Sequence, residues 1–133
     1  MAFDWTFVFT WEALLVSALG SALGIVWGAM PGLSSNMAVA LMVGFTYKLS
    51  PEIAIVFLIA VWVGTEFGGA ISAILINIPG TPSAVPTQMA GYPLALRGEG
   101  GLAIGTALMF SMLGNWAGLI ALVAFVPIMI AIA

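Results

Sequence analysis

The chain has no cysteine and no histidine. The first absence excludes disulfides and thiolate chemistry. The two together remove the usual zinc ligands, and the second removes the side chain most used for base catalysis at neutral pH. Charge is scarce too: two basic and five acidic residues in 133, or 5%. A soluble domain carries about a quarter charged residues, so this chain cannot cover its own surface with polar groups. It has no basic run, and its formal net charge of −3 argues against nucleic acid as a partner.

What fills the chain is apolar: 63% hydrophobic residues and a mean hydropathy of +1.24. The expectation is an all-α integral membrane protein whose main partner is the lipid bilayer. Asp4, Glu12, Lys48, Glu52, Arg97 and Glu99 lie near the ends of apolar runs. The N-terminus has no positive segment and no helpful cleavage site, so the first span is expected to be retained. The C-terminal run from Val126 to Ala133 stops in apolar sequence, which leads to the expectation of a fragment of a longer chain.

Apolar runs place spans at about 12–30, 37–47, 52–78 and 102–126, within a single membrane segment. The alternation Phe3, Trp5, Phe7, Phe9, Trp11 reads as an interfacial anchor. Gly20, Gly24 and Gly28 fall on one helix face, and Gly114 and Gly118 repeat the spacing in the last span. Such spacing predicts close helix seams. The run 37–47 is too short for a comfortable crossing and reads as a short or re-entrant helix, capped from Ser34-Ser35-Asn36. The segment 64–69 predicts an interruption of the third span, as a kink or a hairpin. Glu66 is the single carboxylate within an apolar stretch; it is either an interfacial charge or an intramembrane group facing protein or water. Four prolines between 78 and 96 predict a turned or extended loop rather than regular helix.

Pro-Gly occurs twice, at Pro31-Gly32 and Pro79-Gly80, each time after an apolar run and before small hydroxyl residues. Helices should stop at both. Hydrocarbon tolerates freed backbone only where protein or trapped water covers it. Two matched breaks therefore predict a polar cavity, as in transporters built on discontinuous helices. The candidate substrate or ion ligands are Pro31, Gly32, Ser34, Ser35 and Asn36 at the first break. At the second they are Gly68, Gly69, Ser72, Asn77, Pro79, Gly80, Thr81, Pro82, Ser83 and Thr87. No catalytic constellation is visible, because the carboxylates are spread over different segments. Gly98-x-Gly100-Gly101 lacks the Lys-Ser/Thr of a phosphate loop. The chain does not read as an enzyme.

Three strings together resemble a known family: Gly20-x3-Gly24-x3-Gly28-x2-Pro31-Gly32-Leu33, then Phe67 to Pro82 with Asn77-Ile78-Pro79-Gly80-Thr81-Pro82, then Thr87, Gly91-Tyr92-Pro93 and Gly98-Glu99-Gly100-Gly101-Leu102-Ala103. They are similar to the large membrane subunit of the tripartite tricarboxylate transporters, the TctA family. The likeness covers nearly all of this chain and about the first quarter of such a subunit. It implies a multi-pass permease of the bacterial inner membrane, a helical bundle with interrupted helices forming one part of an inverted-repeat transporter. The implied partners are a small membrane subunit and a periplasmic solute-binding protein. The implied cargo is a carboxylate such as citrate, driven by an ion gradient, with sodium or a proton as coupling ion and no other cofactor. The chain departs from the family pattern at Ala70, Ala90 and Ala95. A competing reading is a non-transporting membrane scaffold or assembly subunit packed by its glycine zippers.

Overall fold

The computed structural model describes residues 5–132. Phe3 and Asp4, part of the expected interfacial flank, lie outside them. Every regular element among the described residues is helical. A 3-10 turn at Trp5–Phe9 leads into α1 (Trp11–Gly28), followed by α2 (Ser35–Thr46) and α3 (Pro51–Ile76). A second 3-10 turn at Pro82–Ala84 leads into α4 (Val85–Leu96) and then α5 (Gly100–Ile132). Among the described residues, three helices are long and apolar enough to cross a membrane: α1, α3 and the Gly100–Pro127 part of α5.

The centre of the fold is a parallel pairing of α1 with α3. Gly20 faces Phe57 and Ala60, Gly24 faces Val61, Gly64 and Thr65, and Gly28 faces Thr65. From the other side, Gly64 meets Ser21 and Gly68 meets Ile25 and Ala29. With no Cβ on either surface, the two backbones come into contact, which is the approach that small residues at four-residue spacing permit. A methyl group at Gly24 or Gly28 would overlap the carbonyl oxygen of Val61 or Thr65.

Between these parallel helices the chain must return, and α2 is the return. Ser34 caps it, accepting from the Met37 amide at 3.3 Å. Ala38 then packs on Phe57 and Val61, so α2 runs antiparallel to the first half of α3. At 12 residues, α2 is about 18 Å long. It fits the short-helix expectation in length, with bounds of Ser35–Thr46 in place of 37–47.

Three expectations are corrected. The segment 64–69 does not interrupt the third span: α3 is one unbroken helix of 26 residues. Its glycines are packing surfaces for α1, and Gly69 is one for Thr81. The proline-rich stretch is not all loop, because α4 is helical over Val85–Leu96. Pro86 sits in its first turn, where a missing N–H costs nothing, and Pro93 lies within it. Gly114 and Gly118 form no helix seam here: both face open space. Over residues 108–127 the side chains of α5 are exposed all round.

Candidate functional site

The site is built on Glu66. It is the sixteenth residue of α3. At a rise of 1.5 Å per residue this places it about 4 Å past the midpoint of a helix about 39 Å long. Opposite it, Ser111 and Asn115 on α5 border the same cleft, close to the middle of the Gly100–Pro127 span. Along α3 and α5 the carboxylate lies near the middle of the helix, whereas along α1 it stands level with the C-terminal end, where Gly28 meets Thr65.

Two chain breaks reach this carboxylate. From the first, the Ser35 hydroxyl donates to Glu66 Oε1. From the second, the Ser83 hydroxyl donates to Oε2. Thr81 Oγ1 stands 2.9 Å from Ser83 Oγ and extends the network. Ser35 is 5% exposed and Thr81 2%. Each donor is placed by local structure. Ser35 opens α2 directly after the Ser34 cap. Thr81 directly precedes the Pro82–Ala84 3-10 turn, and Ser83 lies within it.

Gly80 explains why the second break sits there. A side chain at Gly80 would overlap the Gly28 carbonyl oxygen and stand 2.7 Å from the Gly69 Cα. Its amide donates to the Gly69 carbonyl at 3.3 Å, and Ser72 Oγ donates to the same carbonyl at 3.0 Å. Three glycines from three segments therefore meet at one junction. At Gly80 and Thr81 the second break is buried in protein, whereas Asn77, Ile78, Pro82 and Ser83 are exposed.

Beside Glu66 opens a cleft of about 760 Å³ between α3, the second break and α5. Its polar groups are Glu66, Ser83, Thr87, Ser111 and Asn115, set between Trp62 and Trp116. It contains one carboxylate and no basic side chain. The chain's two basic residues lie elsewhere, Lys48 in the α2–α3 turn and Arg97 in the α4–α5 turn.

The remaining candidates scatter. Pro31 and Gly32 are exposed in the α1–α2 turn, where Gly32 takes a φ of 90°, and Asn36 is exposed in the first turn of α2. Ser34 serves as the cap of α2. Gly68 packs on α1, Gly69 on Thr81, and Ser72 bonds its own helix. Asn77 ends α3 in the left-handed region at φ 60° and receives Gln88 Nε2 on its carbonyl and its side-chain oxygen, at 2.7 and 2.9 Å. Pro79 is half-buried beside the Gly80 junction, and Pro82 is exposed. Thr87 lines the cleft. Sequence reasoning missed Ser111, Asn115, Trp62 and Trp116. One signal was available, since Ser111 and Asn115 are four apart on an otherwise apolar run and so share a helix face.

Fold and site together define an all-helical integral membrane protein in which two chain breaks meet on a carboxylate at mid-helix. Residues 14–133 match the family model described as the tripartite tricarboxylate transporter TctA family, and the chain belongs to that family. A relative from Agrobacterium vitis, described as an uncharacterized 52.8 kDa protein in the TAR-I ttuC' 3' region, is 34% identical over 93 residues. The matched part is 70% of this chain and 18% of the relative's length. No solved structure matches the chain.

Proposed function

We propose that this chain is part of the large membrane subunit of a tripartite secondary transporter that imports carboxylates such as tricarboxylates. It would act in the bacterial inner membrane with a small membrane subunit and a periplasmic solute-binding protein. An ion gradient, of sodium or protons, would drive it. Family membership over residues 14–133 supports the permease class. The observation that carries the site is the meeting of Ser35 and Ser83, from two separate breaks, on the two oxygens of Glu66 beside an open cleft. A scaffold built only to pack helices needs its glycines. It has no use for hydroxyl residues converging on a carboxylate in an apolar span, where an unneutralised charge is costly.

The test is uptake of labelled citrate and smaller carboxylates by cells carrying the full-length subunit and its partners. Thr81→Ala and Ser83→Ala are expected to reduce uptake by at least about tenfold, since each removes a hydroxyl from the network on Glu66. Membrane levels of both variants should match the parent. Normal uptake in both would remove the site assignment and favour the scaffold.

A further inference from the structure

We infer that Glu66, with the hydroxyls of Ser35, Thr81 and Ser83, is a monovalent-cation site that must be filled before an anion can enter the cleft beside it. This rests on the permease reading.

Glu66 is half-buried in the middle of α3. Among the described residues, the neighbouring elements bring no charged side chain to it. α2 carries none over Ser35–Thr46, the Pro82–Ala84 turn carries none, and α5 carries none over Gly100–Ile132. On α1 the only one is Glu12, at the far end of the helix. On α3 itself the other is Glu52, fourteen residues away, and α4 has only Tyr92. The carboxylate is therefore satisfied by hydroxyls alone. Hydroxyls are two-sided: each donates one hydrogen and keeps two lone pairs, and its hydrogen rotates freely. Turned outward, the three hydroxyls and the carboxylate become a set of hard oxygen donors with a total charge of −1. Oxygen donors of this kind suit hard cations. One positive charge neutralises the set, whereas a divalent ion would leave it charged.

The order of binding follows from the charges. The cleft carries the Glu66 carboxylate and no cation of its own. Like charges a few ångströms apart in a low-dielectric site repel strongly. An incoming carboxylate is therefore refused while Glu66 stands bare and accepted once a cation covers it. Because Ser35 and Ser83 also close the two breaks onto Glu66, the same cation would decide whether the breaks stay tied to α3.

The test uses the full-length subunit in detergent with no substrate present. The readout is the rise in unfolding temperature when lithium, sodium or potassium chloride replaces choline chloride at constant ionic strength. A separate arm lowers pH in choline chloride alone. The parent is expected to show a saturable rise in one arm, and that arm names the cation as an alkali ion or a proton. Glu66→Gln keeps the shape and an acceptor oxygen but should lose the rise. Ser83→Ala should weaken the apparent affinity about tenfold, the effect of one lost ligand. Glu66→Asp, which keeps the charge, should retain a weakened response and so guards against simple misfolding. No saturable rise in the parent in any arm, or the same rise in Glu66→Gln, would overturn the inference while leaving the permease reading in place. Uptake that survives Ser83→Ala would remove the carboxylate assignment without altering a shift measured in the absence of substrate.

Discussion

Sixteen glycines occupy this chain, and their roles separate cleanly by what stands opposite each. Gly24, Gly28 and Gly80 lie against carbonyl oxygens of a neighbouring segment, with no room for a methyl group. We expect Gly28→Ala to destabilise the full-length protein by about 2–3 kcal/mol, because backbone cannot yield as a side chain can. Gly44 has nothing within 4 Å of its added Cβ. Gly44→Ala should therefore stabilise by about 0.5–1 kcal/mol, through helix propensity alone. Unfolding temperatures of the two variants, measured side by side, check the contrast; equal effects would contradict the α1–α3 seam. Asn77 provides a second contrast. At φ 60° a side chain without local hydrogen bonding is strained, so Asn77→Ala should cost about 1–2 kcal/mol. Asn77→Gly should relieve that strain and lose only the side-chain half of the Gln88 contact. A Gly variant less stable than the Ala variant would show that this contact outweighs the backbone.

At the scale of elements, α2 is the piece most dependent on its ends. It has 12 residues, below the length at which helices hold by themselves in water. Its stability comes from the Ser34 cap, the Ala38 contact with Phe57 and Val61, and the Ser35 bond to Glu66. Ser34→Ala should cost about 1 kcal/mol. Hydrogen exchange at the amides of 35–38 should rise in that variant while the α1–α3 seam stays protected; unchanged exchange would mean that packing alone holds the start of α2. The prolines show why a local rule failed at this scale. Pro86 in the first turn of α4 is neutral to the helix. Pro93 removes an interior hydrogen bond, which the sequence rule correctly counts as a cost, but packing against the rest of the fold outweighs it: Gly91 of α4 lies directly on Ile74 of α3.

For the whole molecule, the parallel pairing of α1 and α3 fixes relative sidedness. The N-terminal ends of both helices share one side, as does the α2–α3 turn. The α4–α5 turn lies toward the other end of α3, where Gly100 approaches Leu75. Glu12→Cys and Lys48→Cys should therefore be labelled by an impermeant thiol reagent from the same side of the membrane, and Arg97→Cys from the opposite side. Labelling of Glu12→Cys and Arg97→Cys from one side would contradict the arrangement. With only Lys48 and Arg97 as basic residues, which side is cytoplasmic is a question for that experiment and not for charge counting.

Much of this molecule follows from its residues one segment at a time. Composition alone demands a bilayer, because 5% charge cannot cover a soluble surface. The two Pro-Gly strings mark where helices end, because a missing donor and a loose backbone act locally. Other features depend on neighbours far away in sequence. Glycines at four-residue spacing mark a contact face on α1, but only the fold makes α3 its partner, runs the two parallel and so turns 64–69 from an apparent break into a continuous surface. Glu66 is legible as an unusual charge. That Ser35 and Ser83 both reach it is decided by tertiary structure, since hydrogen bonds between distant segments depend on how helices pack and not on any local preference.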